Sequence, residues 1–386
     1  MTSSFLLLVG SFSPMISTLN FTLSPPSLTL VSQTPAGTSP TWLLGNPTNS
    51  SIFYATDETE TGGLNSLIID HVTGKVTPIA SISTQGGSPT HIGMIGNGST
   101  QLGVANYGGG SVFFTTLEDD HLHFANPQLV KFDSVQKSNA HQVVSNGAQV
   151  LVSDLGADRV WRLNGGASGQ WSIQGAISRP SGSGPRHIVV DDSSLYTLHE
   201  RANTLTQQTA VTPSSTGQPA EVASISIIPS DTPASATLYA GELLLAHTPS
   251  PVMYASNRED PSPAGDAIAV FELNPLTKVA EIRTGLQHLR GVALVGEDNA
   301  YLIAGGMKGG GIKVYERVSA AQGYLKEVAS LPAGVVDQPS SFIWVPPQDV
   351  ATGGTTQAST ATASIPGVVP TSSVSRAHRR YKIGSW

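Results

Sequence analysis

The chain has 386 residues, of which 40 are Gly, 26 are Pro and only 12% carry charge. That charge content, about half the usual ~25%, argues against a helical bundle or coiled coil and favours short strands joined by tight turns. A net charge of −7 offers no basic field to nucleic acid, and the lack of cysteine removes disulfides, thiolate metal sites and a Cys nucleophile.

From the N-terminus, the run Phe5–Val9 is too short for a signal-peptide core and has no basic residue before it. No run approaches the ~18 apolar residues of a membrane span. A cytoplasmic protein with no membrane partner is expected. The glycosylation-like triplets at Asn20, Asn49 and Asn97 then read as chance matches.

Short apolar runs ending in a small polar residue recur at Ser11, Asp57, Asn106, Asp154, His199, Asn257 and Gly305, 45 to 58 residues apart. A second marker precedes each run or follows the last. It reads Pro-Thr-Trp at 40–42, Pro-Thr-His at 89–91, Ala-His-Gln at 140–142 and Pro-Arg-His at 185–187. It continues as Ala-Gly-Glu at 240–242, Leu-Arg-Gly at 289–291 and Pro-Ser-Ser at 339–341. Two markers with one period near 49 residues predict seven units. Within a unit, turn chemistry such as Asp70 to Lys75 separates four short strands, the composition of a propeller blade.

An all-β, seven-bladed β-propeller is therefore predicted for residues 1–347. The chain enters in mid-blade, at Phe5–Ser11, and its last marker opens one further strand, Phe342–Val345. The C-terminal strand should complete the N-terminal blade, which removes the open edge. Residues 348–386 are dominated by Ala, Ser, Thr, Gly and Pro, so a low-complexity tail without fixed structure is expected. Its Arg376, Arg379, Arg380 and Lys382 read as a solvated terminus.

In such a ring, equivalent positions of different blades meet at the central channel. The middle marker position carries Thr41, Thr90, His141, Arg186, Gly241, Arg290 and Ser340. The third carries Trp42, His91, Gln142, His187, Glu242, Gly291 and Ser341. Charged groups are costly to bury unless they are paired or used. A second polar set follows the second strands: Glu58, Tyr107, Glu200 and Arg258, with Leu155 and Gly306 at the same place. Glu200 and Arg258 could equally form a structural salt bridge between blades. His121 and His123 alternate as on an exposed strand face, and the triple glycines at 108–110 and 309–311 read as hairpin turns. No set offers a clustered carboxylate shell for a metal, so no metal and no cofactor are expected.

Several segments resemble the seven-bladed propeller lactonases, also called the cycloisomerase 2 family. They are AlaAsnTyrGlyGlyGlySerVal (105–112), AlaHisGln (140–142), SerAspLeuGlyAlaAspArgVal (153–160), GlyProArgHis (184–187), HisGluArgAlaAsnThr (199–204) and AlaSerAsnArg (255–258). The family contains propeller-type 6-phosphogluconolactonases and fungal 3-carboxy-cis,cis-muconate lactonizing enzymes. The resemblance spans about residues 5–345 and implies a site of His141, Arg186, Glu200 and Arg258. Arg290, His187, His91 and Glu242 are further substrate-binding candidates. Ser138-Asn139 replaces the Pro-His usual in the bacterial lactonases, Leu289 rather than Pro precedes Arg290, and an insertion at 261–265 follows Arg258.

The resemblance implies a lactonase that hydrolyses a small anionic sugar lactone such as 6-phosphogluconolactone. His141 or Glu200 would activate water, and Arg186 and Arg258 would hold the anion and the developing oxyanion. Two alternatives stand beside it: a cycloisomerase acting on a carboxymuconate dicarboxylate, and a non-catalytic propeller that binds a protein or metabolite.

Overall fold

The computed structural model describes residues 4–347 except 97–99, 134–136, 166–168, 192–193, 213–214 and 216. Asn97 and the low-complexity tail lie outside the described residues. Seven four-stranded antiparallel sheets account for almost all regular structure, with two single-turn 3-10 helices, Glu297–Asn299 and Ala320–Gln322. No helix among the described residues is long and apolar enough to cross a membrane.

Six sheets follow the chain from inner to outer strand. The seventh draws its inner strand, Pro339–Val345, from the C-terminal end and its other three from residues 4–35. Val9 faces Phe342 and Leu6 faces Val345 across this join. The predicted closure therefore holds in register. Behind it, Phe5, Phe21, Ile303, Val314 and Phe342 fill the space between the first and last blades. Phe21 meets Phe5 and Tyr301 edge-on, with centroids 5.4 and 5.0 Å apart. Such aromatic pairs add about 0.5–1.5 kcal/mol each beyond area burial.

Burial explains why these strands read as unbroken apolar runs rather than alternations. The second strand of a blade is covered on both faces by its neighbours; Gln149–Asp154 and Val252–Arg258 are buried throughout. The outermost strands, such as Val76–Ser83, alternate between exposed and half-buried. His121 and His123 lie in a turn ahead of the strand Phe124–Lys131, not on a strand face. His121 takes a positive φ, and Asp120 draws in the backbone of Leu122 and His123 and the His123 ring.

Six of the seven inner strands share one irregularity, Leu43–Gly45 being the regular one. Their pairing slips at Thr90, His141, Arg186, Gly241–Glu242, Arg290 and Ser340. A slip of this kind is a β-bulge, which re-aims side chains and leaves backbone groups unpaired. Hydroxyls of adjoining blades satisfy several freed carbonyls. Thr90 Oγ1 donates to His141 O at 2.9 Å, Ser153 Oγ to Arg186 O at 2.6 Å, and Ser340 Oγ to Thr41 O at 2.7 Å. The bulge lets two successive marker residues both face the channel, which simple alternation forbids.

Candidate active site

The middle marker position turns toward one end of the channel. There Thr90, His141, Arg186 and Arg290 meet Glu58, Tyr107, Glu200 and Arg258 around a cavity of about 180 Å³. The first four come from bulges on inner strands. The second four come from the ends of second strands, where the chain turns beside the channel.

Glu200 ties the group together. Its Oε2 accepts from Arg186 Nη1 at 2.7 Å and from Arg258 Nη2 at 2.8 Å. Its Oε1 has no hydrogen bond among the described residues, and the side chain is 16% exposed. Burial pushes the Glu200 carboxyl up, but Arg186 and Arg258 outweigh it, so the group lies below its ordinary pKa. Burial and the neighbouring Arg186 lower Arg258 to about 10. Two backbone carbonyls fix the arginines: Arg186 Nε donates to Gly241 O at 2.8 Å, and Arg258 Nη2 to Ala240 O at 3.0 Å. Gly241 is required here, because a Cβ would meet Ser256 Oγ and lie 2.8 Å from Leu289 O.

Arg186 Nη1 also donates to His141 Nε2 at 2.6 Å. A guanidinium can only donate, so Nε2 accepts and the neutral ring carries its proton on Nδ1. Burial and then Arg186 hold His141 well below its usual pKa. Its Nδ1 is buried without a partner among the described residues. The Tyr107 ring stands edge-on to it, 6.1 Å between centroids. Ser138 and Asn139, the departure from the family pattern, clamp this corner. Ser138 Oγ and Asn139 N reach the Asp154 carboxylate at 2.5 and 2.8 Å, and Asn139 Nδ2 reaches Tyr107 O at 3.0 Å.

Arg290 joins the cavity by a looser arrangement. Its Nη2 stands 3.6 Å from Glu58 Oε2, and its guanidinium lies 4.6 Å over the Phe12 ring. Glu58 Oε2 is itself held by Thr41 Oγ1 at 2.6 Å.

His91, His187 and Glu242 do not line this cavity. The third marker position points along the channel, away from the mouth. Trp42 and His91 meet there in a tilted pair, 4.3 Å between centroids, and His187 lies 5.0 Å from the His141 ring. His187 Nε2 is 3.3 Å from Glu242 Oε2, a charge contact without hydrogen-bond alignment. Burial pushes Glu242 up, but His187 and Arg186 bring it below its ordinary pKa. Beyond this layer lies a second cavity of about 400 Å³, which His187, Glu242, Trp42 and Gln142 share with Leu244, Val292 and Leu294. Between the two layers lies a space of about 10 Å³, lined by residues of both, among them His141, Arg186, Arg290, Trp42 and Glu242, and no larger than one water needs.

Sequence reasoning placed Glu58 and Tyr107 at equivalent positions but assigned them no role; their signal was the shared place after the second strand. Phe12 left no signal at all. Among the described residues, no group of three or more His, Asp or Glu side chains is arranged to hold a metal.

A lactonase family model, described as a 7-bladed β-propeller, matches residues 6–342. The chain is 25% identical over 328 residues to a probable 6-phosphogluconolactonase of Arthroderma benhamiae, covering 80% of this chain and 81% of that one. Among solved structures it is similar to the periplasmic gluconolactonase of Pseudomonas aeruginosa (TM-score 0.77, 20% identity, 89% of this chain and 99% of that one). A putative 6-phosphogluconolactonase of Bacteroides uniformis is similar too (TM-score 0.74, 22% identity, 89% and 100%). At such identities the solved structures speak to the fold alone. With the family model spanning nearly the whole ring, the chain belongs to the seven-bladed β-propeller lactonases.

Proposed function

We propose that the protein hydrolyses a small anionic sugar lactone, with 6-phosphogluconolactone the first substrate to offer. One observation carries the reading: Glu200 is pinned through Oε2 by two guanidiniums while Oε1 stays open to a small charged cavity. Glu200 Oε1 takes a proton from water as that water attacks the lactone carbonyl carbon. The oxyanion that forms is held by guanidinium N–H groups, Arg258 Nη1 being free of protein hydrogen bonds among the described residues. The ring C–O bond then breaks, the proton on Glu200 passes to the leaving oxygen, and an open-chain hydroxy acid results. His141 is a positioning residue in this scheme. Its Nε2 already accepts from Arg186, so it holds the guanidinium rather than water.

The volume supports a small substrate. About 180 Å³ is below the ~300 Å³ at the lower end of ordinary ligand pockets. The cycloisomerase reading has less support. The loop 259–266 would favour it by narrowing the site for a flat diacid, but none of its residues lines the cavity. Asp260 pairs with Arg283 at 2.7 Å, and Asp266 accepts from Leu289 N at 2.8 Å, which folds the loop back onto its own blade and the next.

The test offers purified full-length protein 6-phosphogluconolactone and carboxymuconate side by side, with products followed directly and spontaneous opening subtracted. Turnover of the lactone alone is expected. Exclusive turnover of the muconate would overturn the assignment. EDTA in the same assay should leave turnover unchanged; activity lost on chelation and restored by a divalent ion would show a metal requirement.

A further inference from the structure

Three guanidiniums face the small cavity, and they differ in what they already hold. Arg186 donates to Gly241 O, His141 and Glu200. Arg258 donates to Ala240 O and Glu200. Arg290 makes no hydrogen bond to any described residue, although its side chain is four-fifths buried. Glu58 stands beyond hydrogen-bond reach at 3.6 Å, and the Phe12 ring supports the guanidinium plane without using its N–H groups. Tyr107, in the wall of the same cavity, has a hydroxyl without a hydrogen bond among the described residues.

A guanidinium that faces a cavity and donates to no protein acceptor is free to donate to a ligand, and charge-assisted bonds of that kind are among the stronger ones. An open Arg fork and a phenol together offer more donors than a carboxylate has lone pairs suitably placed, and they match the three terminal oxygens of a phosphate ester. The lining charges are three Arg against Glu58 and Glu200, which leaves the cavity one positive charge in excess.

We propose that Arg290, with the Tyr107 hydroxyl, forms the subsite for the terminal phosphate of the substrate, and that Arg186 and Arg258 serve the reacting end instead. Glu58 is the restraint on this subsite. Held by Thr41 through Oε2, it pairs loosely with Arg290 and weakens the binding of any anion there. This inference rests on the lactonase reading for the identity of the sugar, but not for the existence of the anion subsite.

The experiment is calorimetric titration of the full-length protein with gluconate and with 6-phosphogluconate, beside lactone turnover. The wild-type chain should bind the phosphorylated acid more tightly. Arg290→Met should remove about 10- to 100-fold of that preference, the scale of lost charge-assisted hydrogen bonds, with gluconate affinity unchanged. Tyr107→Phe should remove a smaller part. Glu58→Gln should tighten phosphate binding by about fivefold, the upper end for a partly exposed charge pair. Arg290→Lys keeps the charge without the fork and should retain part of the preference, which preserves the test if Arg290→Met fails to fold. A wild-type chain that binds the two acids equally, or an Arg290→Met chain that keeps the full preference, overturns the subsite even if lactone turnover is normal. A phosphate preference abolished by Arg290→Met in a chain that turns over no lactone upholds the subsite and sinks the proposed reaction.

Discussion

At one end of the channel, about 180 Å³ is lined by Thr90, His141, Tyr107, three arginines and two glutamates; past the ring layer, about 400 Å³ has a mixed wall in which His187, Glu242 and Gln142 stand beside Leu244, Val292 and Leu294. The same inner strands build both. The difference begins at the bulge. Above it each blade contributes an unlike residue, and the charges cross-brace one another through Glu200. Below it the strands return to ordinary pleating, and apolar residues face both the neighbouring blades and the channel. Size is therefore a poor guide to chemistry here. The smaller space gathers three guanidiniums around the open Glu200 oxygen, and that combination is what a reacting anionic lactone can use.

The largest effect that separates the two regions is expected from Glu200→Gln. Loss of the base should lower turnover by about 10²–10⁴. The melting temperature should also fall, because Arg186 and Arg258 would lose the charge that pairs them. Folded protein with a lowered melting temperature and nearly normal kinetics would reduce Glu200 to a structural tie and remove the contrast.

His141→Ala should cost less, about 10²-fold, the scale of a misplaced catalytic group. Its signature is a fall in turnover that His141→Gln partly restores, since an amide oxygen can also accept from Arg186 Nη1. If the Gln variant is as inactive as the Ala variant, His141 itself moves the proton.

The pH profile gives a smaller but sharper distinction. Burial raises the Glu200 carboxyl, Arg186 and Arg258 lower it further, and the balance falls below 4.5. Turnover that needs the carboxylate should stay level from neutrality down to about pH 5 and drop only below that, given ~4.3 for an ordinary Glu. Stability has the same sign. A depressed carboxyl contributes above its unfolded pKa, and the contribution is lost as pH falls through the folded value. An acid limb centred near 6.5 would instead point to an unperturbed imidazole.

The smallest expected effect lies in the larger cavity. Leu244→Phe narrows that space and should leave lactone turnover unchanged. If it slows turnover as much as His141→Ala, ligand or product passes through the channel and the two regions act as one.

How far the residues alone reached depends on which interaction is asked about. The seven units were readable because every blade repeats the same problem, two buried faces and a turn, and solves it with the same residue types near a 49-residue period. Ring closure followed from Phe342–Val345 having no partner in its own unit. Of the site, His141, Arg186, Glu200 and Arg258 stood out by motif, and Glu58 and Tyr107 stood at equivalent positions without a reason to be chosen. His91, His187 and Glu242 were grouped with them because neighbouring marker residues cannot be sorted by direction from a one-dimensional pattern.

The sequence by itself thus determined the repeat, the blade count and the list of polar residues that must meet near the axis, since local hydrophobic patterning and turn chemistry are properties of adjacent residues. Only the tertiary structure decided which of them share a cavity. Bulge geometry sends Arg186 to the mouth and His187 past it, although they are consecutive. It also leaves Arg290 without a hydrogen bond to any described residue while Arg186 makes three. Those outcomes depend on distances between blades far apart in sequence, which no spacing along the chain records.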